Sequence, residues 1–247
     1  MIRPTESTTS STRVRSPLQP RIRTPRPVTT VDGADGELIM NGVQVRSIDL
    51  TGVDSDFAEL AGSRLAEVRL SASQWRHAAF ADSELIGCDL ANAEFVESGW
   101  QRIAIGHSKL VGIRAAGCSW KNVRLSDSMI NLANLRFLEA QRVQFEGCNL
   151  TGVDLGSAQL TDVRFVDCDL SEADFSNARL ARVRFERCRL ARIGGVAGLA
   201  GASVGPDDLL QLADSLAAAL GLRVETEEDG DDSAPEPRTA STLTVEE

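Results

Sequence analysis

The sequence predicts an all-β fold: a quadrilateral parallel β-helix of about seven coils, closed by a C-terminal capping α-helix. Three observations predict it. Every fifth residue from Leu50 to Leu190 is apolar with few lapses. Of these 29 positions, 26 carry Leu, Phe, Trp or Ile, and only Ser55, Ala115 and Ala140 depart. The residue two places before each centre is mostly Ala, Ser, Cys or Val, and all five cysteines (Cys88, Cys118, Cys148, Cys168 and Cys188) occupy that place. All eight prolines lie at or before Pro27 or at or after Pro206, so the stretch between them can pair its backbone N–H groups. A period of five fits neither the 3.6 of a helix nor the 2 of a strand.

Each unit therefore reads small–x–large–x–x, with two side chains inward and three outward. A chain with that repeat turns a corner every five residues, and four units close a roughly square coil of 20 residues. Coils stack at about 4.8 Å, so the run makes a rod of roughly 35 Å with parallel ladders on its faces. A small centre leaves a void unless a neighbour fills it. Repacking is expected near Ser55, Ile113–Ala115 and Leu138–Ala140.

In chain order, residues 1–30 are rich in Ser, Thr, Pro and Arg and bury too little to offset their ordering entropy; a disordered basic tail is expected. Residues 31–46 hold apolar pairs at Leu38/Met40 and Val43/Val45 about Asn41-Gly42, a hairpin signal, and are expected to cap the open end of the stack. Residues 47–192 are the repeat. Residues 193–222 form a C-terminal cap, with a helix over 206–220 that starts at Pro206 and stops at Gly221. Its Leu209, Leu212, Ala213, Leu216 and Leu220 share one face, suited to a lid. Leu210, Leu216 and Ala217 extend the apolar surface and are candidate dimer contacts. Residues 223–247 read as a disordered acidic tail.

Several units match A(D/N)LXX: Ala93-Glu94-Phe95, Cys148-Asn149-Leu150, Val153-Asp154-Leu155, Cys168-Asp169-Leu170 and Ala173-Asp174-Phe175. The pattern resembles the pentapeptide repeat family over about 145 of the 247 residues. The resemblance implies a right-handed quadrilateral β-helix. Its fluoroquinolone-resistance members, which this chain resembles in rod shape, are DNA-mimicking binders of a type II topoisomerase, and the resemblance brings that reading as an alternative.

Composition narrows the function. The chain has 247 residues, 25% charged and 4% aromatic, with no Tyr, which suits one domain with a thin, uniform core and flanking tails. Its net charge of −10 is uneven: residues 1–31 carry +5, residues 32–47 carry −2, the repeat at 48–192 carries −3 (17 basic, 20 acidic) and residues 193–247 carry −10. No apolar run is long enough to span a bilayer, and the Arg-rich N-terminus has no apolar core of a secretory signal. Cytoplasmic residence is expected, with buried reduced thiols.

No catalytic, cofactor or metal site is expected. His77 and His107 both face outward and stand one and a half coils apart, on opposite faces. The cysteine spacings of 30, 30, 20 and 20 are not those of metal ligands. Residues 20 apart share a face. One face collects Asp54, Glu94, Glu97, Asp154 and Asp174, interrupted by Arg114; the opposite face collects Arg64, Arg124, Arg164, Arg184 and Arg187. Phe57, Leu132 and Phe137 point outward. These are the candidate interaction surfaces. The function expected is a non-catalytic protein-binding scaffold. The alternatives are a DNA-mimicking modulator of DNA gyrase, which would need a more negative rod, and nucleic-acid contact through the Arg-rich arm.

Overall fold

The fold is described from a computed structural model covering residues 13–30 and 36–222. The chain is a parallel β-solenoid. Its longest sheet path starts with β1 (Arg26–Val28) and then β3 (Val43–Arg46), while β2 (Ile39–Asn41) joins the same sheet beside it. From β3 to the strand at Arg179–Glu186 the strands lie 20 residues apart along the chain in strict register: Leu65 beside Leu85, Leu85 beside Ile105, Ile105 beside Leu125, and on to Phe165 beside Phe185. Two adjacent faces share six eight-residue strands that run continuously round a corner, from Ala79–Ile86 to Arg179–Glu186. The other two faces are narrower ladders at Asp49–Arg69–Asp89 and Glu94–Arg114–Asn134 and their successors.

The coil count exceeds the seven expected. Nine strands follow one another in register from β3 to a last strand at Ala202–Val204, because both flanking segments continue the coil. The expected hairpin at Asn41-Gly42 is one of them. β2 and β3 do not pair with each other; each pairs in parallel with the coil above, Met40 beside Leu60 and Val45 beside Leu65. Gly42 has φ +63, and the same left-handed corner recurs two residues after successive centres, at Phe57, Glu67, His77 and Asp82 among others. Asn-Gly is therefore a solenoid corner. The conformation a hairpin turn needs is the one this corner needs.

The core runs the length of the rod. Trp75, Trp120, Phe165, Phe175 and Phe185 are fully buried. Trp100 stacks on Trp120 with centroids 4.5 Å apart, and Phe145, Phe165 and Phe185 stack at 4.9 and 5.0 Å. The weak units repack by exchange. At Ile113–Ala115 and Leu138–Ala140 the large side chain takes the small position, and both members are buried. Ala140 lies beside Trp120 in the next coil, which gives the indole stack its room. Small inward serines link the coils. Ser63 Oγ accepts from Val43 N at 3.0 Å, Ser98 Oγ from Ala78 N at 3.0 Å and Ser108 Oγ from Cys88 N at 3.0 Å. A buried hydroxyl thus satisfies an amide that would otherwise be orphaned.

The C-terminal cap differs from the single helix expected over 206–220. It comprises α1 (Pro206–Leu210) and α2 (Ala213–Ala219), broken at Gln211-Leu212. The break follows from how the stack is closed. Asp208 Oδ1 accepts from Cys188 N at 3.1 Å, in the place a serine 20 residues on takes elsewhere. Gln211 accepts from Leu190 N and donates to Cys188 O. Leu212 is 3% exposed and alone enters the core, while the other lid residues expected, Leu209, Leu216 and Leu220, are exposed.

The N-terminal segment also departs from expectation. Residues 13–30, read as part of a disordered tail, lie along the outside of the coils and end in β1, which pairs with β3. Residues 1–12, 31–35 and 223–247 lie outside the described residues, and with them the acidic tail.

Candidate interaction surface

The outward positions form columns, one residue per coil. In the expected acidic column of Asp54, Glu94, Asp154 and Asp174, the first three pair with arginines. Arg76 bonds both Asp54 and Asp56. Arg114 pairs with Glu94 at 2.9 Å and Arg136 with Asp154 at 3.3 Å. Asp174, half-exposed, accepts from Ser176 N on its own corner at 2.8 Å. Glu97 belongs to the next column, 3.2 Å from His77 Nε2. His77 also stacks on Phe57, with centroids 4.9 Å apart.

The expected basic column is paired in the same way. Arg64 pairs with Glu84 at 3.0 Å, and Arg124 stands 3.8 Å from Glu146. Glu186 holds both Arg164, at 2.8 Å, and Arg184, at 3.1 Å. Arg187 is bidentate to Asp167. Such exposed pairs add little to stability, because water screens them. Their larger effect is on the surface potential, because each of these arginines has a carboxylate within 4.0 Å, Arg164 and Arg184 sharing Glu186. Phe57, Leu132 and Phe137 stand 62%, 66% and 55% exposed on the coils, as does Ile39 of β2 at 60%.

One column was not anticipated. Read every 20 residues it runs Asp82, Arg102, Asn122, Arg142, Asp162, Arg182. Each Arg reaches back one coil: Arg142 Nε donates to Asn122 Oδ1 at 2.7 Å, Arg182 Nε to Asp162 Oδ1 at 2.7 Å, and Arg102 bonds Asp82 through two nitrogens. The N-terminal arm lies on this column. Arg15 N donates to Asp162 Oδ1 at 3.3 Å, Leu18 N to Asn122 Oδ1 at 3.2 Å and Arg21 N to Asp82 Oδ1 at 3.0 Å. Asp162 and Asn122 are only 1% and 4% exposed. The Arg102 guanidinium, and then the Arg21 amide and charge, hold the Asp82 carboxyl below the usual carboxylate range. Arg182 and Arg15 do the same for Asp162. The signal lay in the sequence as an Asx/Arg alternation with a 40-residue period, twice the coil.

All five cysteines are free thiols with buried side chains. Burial pushes Cys88 up to about 11 and raises Cys118. Cys168 is raised by the hydrogen-bonded thiols of Cys148 and Cys188 on either side and by burial. Among the described residues, no group of three or more His, Cys, Asp or Glu could hold a metal, and no helix is long and apolar enough to cross a membrane. A groove of about 900 Å³ opens between the last coils and α1, lined by Arg184, Arg187, Arg189, Asp167, Asp169 and Asp208 among others.

The family model for the pentapeptide repeat region matches residues 138–194. Within those residues the repeat is a pentapeptide repeat. The same register and coil geometry extend from the matched segment back to β3. Solved pentapeptide repeat proteins are similar to the chain. HetL of the cyanobacterium Nostoc sp. strain PCC 7120, involved in heterocyst differentiation regulation, is 21% identical at a TM-score of 0.43, over 63% of this chain and 73% of that one. QnrB1, a plasmid-mediated fluoroquinolone resistance protein, is 21% identical at a TM-score of 0.36, over 78% of this chain and 94% of its own. Rfr23 of the cyanobacterium Cyanothece 51142 is 14% identical at 0.24, over 66% and 91%. At such identities and TM-scores the likeness says nothing of what this chain binds. No curated protein matches the sequence.

Proposed function

We propose that this pentapeptide repeat protein is a non-catalytic scaffold that binds a protein partner through the lateral surface of its rod. The observation that carries the reading is the division of labour between inside and outside. The coil buries every Trp and Cys as core. It leaves outside a regular lattice of paired charges, with Phe57 and Phe137 exposed four coils apart in one column. Paired charges hold their geometry at little net energy, so they favour register and specificity, while exposed aromatics supply the anchoring area. The same pairing does not favour phosphate mimicry, which needs unpaired negative charge along the rod.

The test is affinity capture from the source cells, with the wild-type chain beside Phe57→Asp and Phe137→Asp. A partner held by the wild type should fall at least about tenfold with either variant, the loss of one anchor residue. Equal recovery on wild type and both variants would place the contact elsewhere and remove this reading.

A further inference from the structure

The arm meets the solenoid at a fixed pitch. Three amides three residues apart, at Arg15, Leu18 and Arg21, meet three oxygens 40 residues apart, at Asp162, Asn122 and Asp82. A polyproline II helix turns once in three residues and rises about 9.3 Å over them. Two coils rise about 9.6 Å. The pitches agree, so each turn of such a helix presents its N–H to the next oxygen. The exposure pattern has the same period: Val14, Pro17 and Pro20 are half-buried, while Arg15, Ser16, Leu18, Gln19 and Arg21 are exposed. A β-strand would alternate by two.

Charge is matched position by position. Arg15 and Arg21 stand over the carboxylates Asp162 and Asp82, and the uncharged Leu18 stands over the uncharged Asn122. Each acceptor oxygen also takes a hydrogen bond from Arg102, Arg142 or Arg182, which fixes its direction. We propose that this column is a peptide-binding groove for a proline-rich, arginine-bearing segment in polyproline II conformation, and that the chain's own arm is its resident ligand. A partner segment of the same chemistry enters by displacing the arm. The hold is weak enough to exchange: three amide bonds, made local by the tether at Arg26, whose N donates to Gly42 O at 2.8 Å. A short tether gives an effective concentration in the millimolar range, and a partner must outcompete that.

The groove goes beyond the scaffold reading and does not rest on it, because the test uses a synthetic peptide and reads this column alone. Arg15→Pro, Leu18→Pro and Arg21→Pro, combined in the full-length chain, remove the three donors and keep the polyproline II bias. A fluorescein-labelled peptide of residues 13–28 is titrated by anisotropy into this variant and into wild type. The variant, whose groove is open, should bind saturably and at least about tenfold more tightly than wild type. Adding Asn122→Leu should weaken that binding by about tenfold. A peptide of the same composition with its prolines off the three-residue spacing should also bind at least about tenfold more weakly. That arm stands if Asn122→Leu disturbs the coil. Equal binding to wild type and variant, no binding up to about 1 mM, or indifference to proline spacing would each overturn the proposal.

Discussion

Asp162 shows how much one outward residue can carry. It sits in a left-handed corner at φ +56 and is 1% exposed. It accepts from the Arg182 guanidinium and from the Arg15 amide. Both interactions favour the charged form, and its carboxyl is held below the usual range. A depressed folded value stabilises the fold above the unfolded-state value and loses that effect as pH falls through the folded value. Asp162→Asn should therefore cost about 1 kcal/mol at pH 7, where a neutral amide, of the kind Asn122 presents to Arg142, replaces the charge-assisted bond to Arg182. The difference from wild type should shrink as pH approaches 3. Urea unfolding at a series of pH values reads this directly, and a difference that stays constant down to pH 3 would show that the carboxylate is not the source. The inward residues were legible in the sequence because volume constrains them every five positions. Asp162, Asn122 and Asp82 were not, since their partner is a segment far away in sequence and their period is twice the coil.

At the scale of elements, the strands were more legible than the ends. Successive coils repeat one geometry, so an error in one unit is corrected by its neighbours. The caps have no such repetition. Asn41-Gly42 carries the residues of a hairpin turn but serves as a corner, because β2 and β3 each pair in parallel with a strand of the next coil. The C-terminal helix breaks at Gln211-Leu212 because Asp208 and Gln211 are committed to the free amides of Cys188 and Leu190. This leaves Leu210, Leu220 and Leu222 exposed at 75%, 74% and 62% at the end of the rod, with Leu216 at 38% and Ala217 half-buried. We propose that a second copy covers this end, since exposed apolar side chains gathered in one place mark interaction sites. Light scattering should give twice the chain mass for wild type and a single mass for Leu210→Asp or Leu216→Asp. A wild type already at single mass at tens of micromolar would remove the dimer.

At the scale of the molecule, the solenoid is an indifferent core with an informative exterior. Its interior is the same along the axis and consumes the residues that elsewhere supply chemistry. Its exterior is a set of columns with a spacing of about 4.8 Å, each of which can be read by something extended. The N-terminal arm was hidden from a compositional reading: Ser, Pro and Arg with few apolar residues imply a chain that cannot fold alone. Three of its amides donate to the column beneath it. A three-residue spacing of Val14, Pro17 and Pro20, set against the Asx/Arg alternation, was the signal that could have revealed it.

The most direct measurement is amide hydrogen exchange at Leu18 in the full-length chain at neutral pH, by NMR or by mass spectrometry of the peptide that contains it. Leu18 is the arm residue whose amide faces an uncharged acceptor, so its protection reports docking alone. Exchange should be slowed at least about tenfold relative to an unstructured chain, and Asn122→Leu should return it to the unstructured rate while the coil amides stay protected. Exchange at Leu18 at the unstructured rate in the wild-type chain would contradict the account.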